Sequence, residues 1–83
     1  MNKKIKVLFF ATLRQRAGMK SLELEVPQDM SVEGLRRQLS RDYPALTESL
    51  KTVVVSVNRE FAFDDAILPE NGEVALFPPV SGG

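Results

Sequence analysis

Residues Lys4 to Leu13, KIKVLFFATL, are rich in β-branched and aromatic side chains and hold neither glycine nor proline, which predicts a strand. Alternation places Ile5, Val7, Phe9 and Ala11 on one side and Lys6, Leu8, Phe10 and Thr12 on the other. Large apolar groups stand on both sides, so the strand belongs in the middle of a sheet, with room for a parallel neighbour. The polar stretch Arg14 to Lys20 reads as a loop, with Gly18 at a positive φ. In Ser21 to Val26, Leu22, Leu24 and Val26 alternate strictly with Glu23 and Glu25, the pattern of a half-exposed strand antiparallel to the first. After the break at Pro27 to Met30, Ser31 is placed to cap a helix and Glu33 to meet its positive end. Val32, Leu35, Leu39 and Tyr43 recur at steps of three and four and form one helical stripe. Gly34 inside this helix costs about 1 kcal/mol relative to alanine, and Pro44 ends it.

Pro44 to Lys51 suits a short helical turn with Leu46 and Leu50 inward, and Thr52 to Val57 is a strand. Asn58, Arg59 and Glu60 make a tight turn into a short strand at Phe61, Ala62 and Phe63. A loop through Asp64, Asp65, Ile67 and Leu68 leads to Pro69-Glu70-Asn71-Gly72, a turn in which proline presets φ and Asn-Gly accepts left-handed geometry. Glu73 to Phe77 is the last strand, Val74 and Leu76 facing one way and Ala75 and Phe77 the other, and Pro78-Pro79 stops it. A hairpin, a crossover helix and a last strand returning beside the first predict an α+β fold, a mixed sheet of about five strands with one main helix on one face. This is the β-grasp order of ubiquitin-like proteins. Residues 1–77 form the single domain, and residues 78–83 an extended tail.

Charge and composition narrow the chemistry. Eleven Lys and Arg balance eleven Asp and Glu, which disfavours a nucleic-acid binder that must gather basic groups against phosphates. Cysteine and histidine are absent, removing disulfides, thiolate nucleophiles, the usual zinc ligands and the usual general base. The apolar run Val7 to Leu13 is broken by Thr12 and has no small-residue cleavage site, and no run approaches the 18 or so apolar residues of a membrane helix. The expectation is a soluble, cytoplasmic protein with no membrane or nucleic-acid partner. Lys3, Lys4 and Lys6 read as the solvated start of the first strand, and Asp64-Asp65 as a turn without companions for a metal.

The tail Pro78-Pro79-Val80-Ser81-Gly82-Gly83 cannot continue the sheet and reaches at most about 20 Å when extended. Two prolines stiffen its base, while two glycines leave a tip slim enough to carry a terminal carboxylate through a narrow channel. A frayed end or a cloning scar is the plainer reading, against which the preceding Pro-Pro-Val argues. With Val7, Phe9, Val74 and Leu76 facing the helix, Leu8, Phe10, Ala75 and Phe77 fall on a sheet face that no helix covers. Such a contiguous apolar patch marks a partner surface, unless a loop folds over it.

These residues carry a family resemblance. Val7 to Ala11 (VLFFA), Leu13-Arg14, Val57-Asn58, Gly72 followed by Glu73-Val74-Ala75, and above all Phe77-Pro78-Pro79-Val80-Ser81-Gly82-Gly83 resemble the MoaD-type small, sulfur-carrying subunit of molybdopterin synthase. The resemblance covers nearly the whole chain, and its ending is more selective than a bare Gly-Gly. One departure, Glu70-Asn71-Gly72-Glu73, where the family often has acidic residues on both sides of the glycine, touches only a turn. The resemblance implies a carrier that is not catalytic alone and binds no cofactor itself. An E1-like adenylyltransferase of the MoeB type would activate the Gly83 carboxylate with ATP, and a persulfide donor would convert it to a thiocarboxylate (1-thioglycine). The tail, with Gly82 and Gly83 at its reactive end, would then enter a MoaE-type large subunit, in an assembly of two small and two large subunits. There sulfur would pass to cyclic pyranopterin monophosphate to build the dithiolene of molybdopterin in molybdenum-cofactor biosynthesis. By the same resemblance the helix-free face binds both proteins, with Phe10 and Phe77 as anchors and Pro78, Pro79, Val80 and Ser81 as tail contacts. Arg14, at the end of the first strand, reads either as the partner of a carboxylate on another protein or as an ordinary solvated arginine. Rival readings are a related carrier for thiamine thiazole assembly or tRNA thiolation, a ubiquitin-like modifier joined to lysines, and an interaction domain whose tail is never activated.

Overall fold

The protein is described here by a computed structural model covering residues 1–79. The chain runs β1 (Asn2–Phe9), α1 (Thr12–Ala17), β2 (Ser21–Pro27), α2 (Val32–Asp42), a 3-10 turn (Pro44–Leu46), α3 (Thr47–Leu50), β3 (Val54–Val57), β4 (Glu60–Phe61) and β5 (Gly72–Phe77). The five strands form one mixed sheet in the order β2-β1-β5-β3-β4. β1 is antiparallel to β2 and parallel to β5, which makes the first and last strands the centre of the sheet. This is the expected β-grasp arrangement.

The helices cover one face only. Ile5, Val7 and Phe9 of β1, Val74 and Leu76 of β5 and Val55 of β3 meet Val32, Leu35 and Leu39 of α2 together with Leu46 and Leu50 in a single core. The stripe read from the sequence is therefore the buried face of α2, with Tyr43 packed at its margin. Ser31 Oγ accepts from the Gly34 N–H at 3.1 Å and caps the helix as predicted. A Cβ at Gly34 would lie 2.6 Å from the Met30 sulfur, on a flexible, half-buried side chain that can move aside, so this contact does not by itself demand glycine. Asn58 and Arg59, at φ 50° and 72°, make the two-residue turn between β3 and β4, and Asn58 Oδ1 accepts from the Glu73 N–H to tie that turn to β5.

Three expectations need correction. The first strand ends at Phe9 rather than Leu13, and the stretch read as loop holds the six-residue helix α1. Leu13 is buried beneath this helix and Gly18, at φ 73°, ends it, its N–H bonded to the Arg14 carbonyl. Strands three and four are shorter than read, starting at Val54 and ending at Phe61. Lys3 is not solvated: its residue is 5% exposed, on the helix-covered face, and Nζ donates to the carbonyl oxygens of Gln28, at 2.7 Å, and of Leu68. This ammonium staples the loop before β5 and the loop before α2 to the start of β1. Lys4 and Lys6 point the other way and are exposed.

Lys3→Ala should lower unfolding free energy by about 1–3 kcal/mol, because two interior carbonyls lose a charged donor. Lys4→Ala should stay within about 0.5 kcal/mol of the parent. Urea unfolding of both variants measures the difference, and equal losses would show that Lys3 holds nothing together.

Candidate functional site

The helix-free face is divided along its length. At one end, register pairs Lys4 with Glu25 and Lys6 with both Glu23 and Glu73, an opposite-charge ladder suited to water. At the other end the same alternation presents Leu8 and Phe10 beside Ala75 and Phe77, then Val54, Ser56 and Phe61 across β3 and β4. The parallel register continues one step past β1 to set Phe10 against Phe77. Their rings stack with centroids 4.6 Å apart at 13° between planes.

This pair forms one wall of a hollow of about 410 Å³, lined by Phe10, Ala11, Val54, Phe61, Phe77 and Pro78. Every lining side chain is apolar. Among the described residues no loop folds over it: Phe61 is 80% exposed, while Phe10 and Phe77 are half-buried by each other and the sheet. Ala75 departs from expectation, being buried between Leu8 and Ser56 at the sheet centre, so it is floor rather than contact surface. Val54 and Phe61 were missed as site residues. Their signal was available in the strand parity, since β3 alternation puts Val54 with Ser56 on the helix-free face and the tight turn pairs Ser56 with Phe61.

Arg14 does not stand at the end of a strand. It is on α1, exposed, with Nε donating to the Phe9 carbonyl at 3.3 Å and the guanidinium 6.0 Å from the centre of the Phe10 ring. The charge thus sits at the rim of the hollow, half fixed by the ring below it. The chain reaches α1 through a turn in which the Leu13 N–H donates to the Phe10 carbonyl and Ala11 adopts φ 53°, ψ −129°. That conformation suits glycine, and a side chain at this position costs energy to aim Phe10 and α1.

Pro78 and Pro79 follow directly from β5, Pro78 as part of the hollow. The tail therefore departs beside the aromatic pair. Val80, Ser81, Gly82 and Gly83 lie outside the described residues. Among the described residues no group of acidic side chains is arranged to hold a metal, and the Asp64 carboxylate is engaged by Arg36 at 2.9 Å. Among the described residues no helix is long and apolar enough to cross a membrane.

The comparisons with known proteins identify the family and the fold. The profile of the ThiS family matches residues 7–83. The chain belongs to the ThiS family. It is 37% identical over 79 residues, 95% of this chain and 82% of the relative, to a protein of Arabidopsis thaliana described as molybdopterin synthase sulfur carrier subunit. Among solved structures it is similar to a candidate molybdopterin converting factor subunit 1 from Pyrococcus furiosus, with TM-score 0.85 and 28% identity over 94% of this chain and 99% of that one. It is also similar to small archaeal modifier protein 1 of H. volcanii, with TM-score 0.82 and 26% identity over 94% of this chain and 99% of that one. The MoaD-type resemblance and the ubiquitin-like β-grasp fold both hold along the chain.

Ala11→Gly should raise unfolding free energy by about 1 kcal/mol, the strain of a left-handed φ exceeding the entropy that glycine adds to the unfolded chain. A neutral or negative change in thermal or urea unfolding would place no strain at this turn.

Proposed function

We propose that this ThiS-family member is the sulfur carrier subunit of a molybdopterin synthase, acting through the carboxylate of Gly83. The observation that carries the reading is the apolar hollow at the base of the tail: one surface both holds a partner and fixes where the tail enters it. The match of the family profile through Gly83 and the name of the Arabidopsis relative support the same role.

The chemistry follows from what a carboxylate lacks. It is a poor electrophile, so the Gly83 carboxylate must first attack the α-phosphorus of ATP on a MoeB-type adenylyltransferase, releasing pyrophosphate and leaving an acyl-adenylate. A persulfide donor then attacks the acyl carbon and expels AMP. A second thiol cleaves the resulting acyl disulfide, forming a disulfide on the donor side and freeing the Gly83 thiocarboxylate. Within a MoaE-type large subunit that sulfur attacks a side-chain carbon of cyclic pyranopterin monophosphate, the new C–S bond replacing a C–O bond, and water then cleaves the acyl–sulfur bond, leaving the sulfur on the pterin and returning the Gly83 carboxylate. Each carrier brings one sulfur, so a dithiolene requires two deliveries, which suits an assembly of two small and two large subunits. This chain contributes docking through Phe10, Phe77, Val54 and Phe61, with Arg14 placed to meet a partner carboxylate at the rim. Pro78 to Gly82 lead the reactive group into the partner, and the pterin-binding groups belong to that partner. A cytoplasmic setting supplies the ATP and reduced thiols that these steps use.

The similarity to an archaeal modifier protein favours one second reading, transfer of the activated Gly83 carbonyl to a lysine amine instead of sulfur. The two separate on product. With the activating enzyme, ATP and a sulfur source, intact-mass analysis should show one oxygen replaced by sulfur, and addition of the large subunit and precursor should yield molybdopterin. Lysine-linked conjugates without any thiocarboxylate would select the modifier instead.

Removal of Gly83 should abolish sulfur transfer and leave the melting temperature unchanged, since the last core residue of the described chain is Leu76. Phe77→Ala should weaken binding to the large subunit by about 2 kcal/mol or more, as for a central aromatic anchor. Titration calorimetry reads the second effect; affinity equal to the parent's would remove this face from the interface.

A further inference from the structure

The apolar surface does not stop at the hollow. Val54 and Phe61 also line a larger depression of about 850 Å³ that turns around the edge of the sheet, past Phe63, to Arg36, Asp64 and Asp65. Phe63 is 82% exposed, and Ile67, beyond it on the same side, is 58% exposed. Apart from Met1, the most exposed large apolar residues described are Val54, Phe61, Phe63 and Ile67, and all lie along this one edge. Two phenylalanine rings held in water contribute nothing to the isolated fold. Gathered beside a docking face, they mark its continuation.

The polar end of the depression has a definite sign. Arg36 is consumed internally, with Nε on Asp64 at 2.9 Å, Nη1 on the Leu50 carbonyl at 2.6 Å and Nη2 on the Val53 carbonyl at 3.3 Å. Asp64 is thereby neutralised. Asp65 is exposed and has no ion-pair partner among the described residues, so the groove presents one negative charge. β4 is the end strand of the sheet. Its pairing of Ser56 with Phe61, followed by the Ala62 N–H to Val55 carbonyl bond, leaves the Phe61 N–H and C=O directed away from β3. The edge therefore offers one backbone donor and one acceptor between two aromatic rings.

We propose that this edge groove is a second contact surface for the large subunit that covers the Phe10–Phe77 face. It takes an extended segment of that partner, which bonds to the Phe61 backbone, lays an apolar side chain between Phe61 and Phe63 and sets a lysine or arginine against Asp65. The inference rests on the reading of the chain as a synthase small subunit. Continuity favours this occupant: Val54 and Phe61 belong to both depressions, so a protein seated on the hollow already borders the groove.

The test is titration of the full chain into a MoaE-type large subunit at low and high salt, using Phe63→Ala, Asp65→Lys and Phe77→Ala. Both groove residues are exposed, so the variants should melt with the parent, which circular dichroism checks. Phe63→Ala should weaken binding about tenfold or more, and Asp65→Lys should weaken it most at low salt, where charge repulsion is least screened. Loss with Phe77→Ala but parental affinity for both groove variants overturns the groove and leaves the hollow as the interface. Parental affinity for all three overturns the docking reading itself. Groove variants that change only self-association in sedimentation, or only adenylation by the activating enzyme, assign the groove to another occupant and equally overturn the proposal.

Discussion

The parallel pairing of β1 with β5 is the constraint on which the rest depends. It brings the two ends of the domain into the middle of the sheet, at the entropic cost of closing nearly the whole chain into one loop. Burial must offset that cost, and the register shows how. Val7 against Val74 and Phe9 against Leu76 give α2 a continuous apolar floor. The same register, read on the other face, aligns Leu8 with Ala75 and carries Phe10 onto Phe77. A slip of one residue would invert both faces together, so the core and the apolar surface opposite it are specified by one pairing.

Placement of the tail follows from that pairing. β5 runs parallel to β1, so its end emerges where β1 ends, beside the Phe10–Phe77 stack and the turn into α1. A partner recognising the aromatic pair is therefore already at Pro78. Under the proposed function, in a protein with neither cysteine nor histidine, this proximity is the contribution the body makes to chemistry. The charge ladder of Lys4, Lys6, Glu23, Glu25 and Glu73 suits the remainder of that face to water, so its apolar part is confined to one end.

Beside the rigid pairing, local structures hold side chains where periodicity alone would not. Arg36 ties α2 to the segment before β3 and, through Asp64, to the segment after β4, which fixes both chain stretches bearing Val54 and Phe61. Ala11 accepts an unfavourable φ so that the chain turns sharply after Phe10 instead of continuing the strand. Lys3 bonds interior carbonyls that strands and helices leave over.

The sequence by itself determined the order of the five strands and α2 along the chain, the Ser31 cap, the buried stripe of α2, the turns at Asn58 and Asn71, and the facing of Phe10 and Phe77, because these depend on periodicity and on backbone preferences a few residues long. The family resemblance was likewise carried by its residues, the Phe77 to Gly83 ending above all. Tertiary structure decided the rest. A six-residue helix has too few positions for a period to show, so α1 read as loop, although Leu13, Ala17 and Gly18 were its markers. Lys3 looked solvated because its acceptors lie 25 and 65 residues away in the chain. Phe61 and Val54 joined the site only when β3 came to stand beside β5 and β4 beside β3, and Ala75 left it for the same reason. What local pattern can show is which way a residue faces; what stands next to it is settled by the strands that pair across the fold.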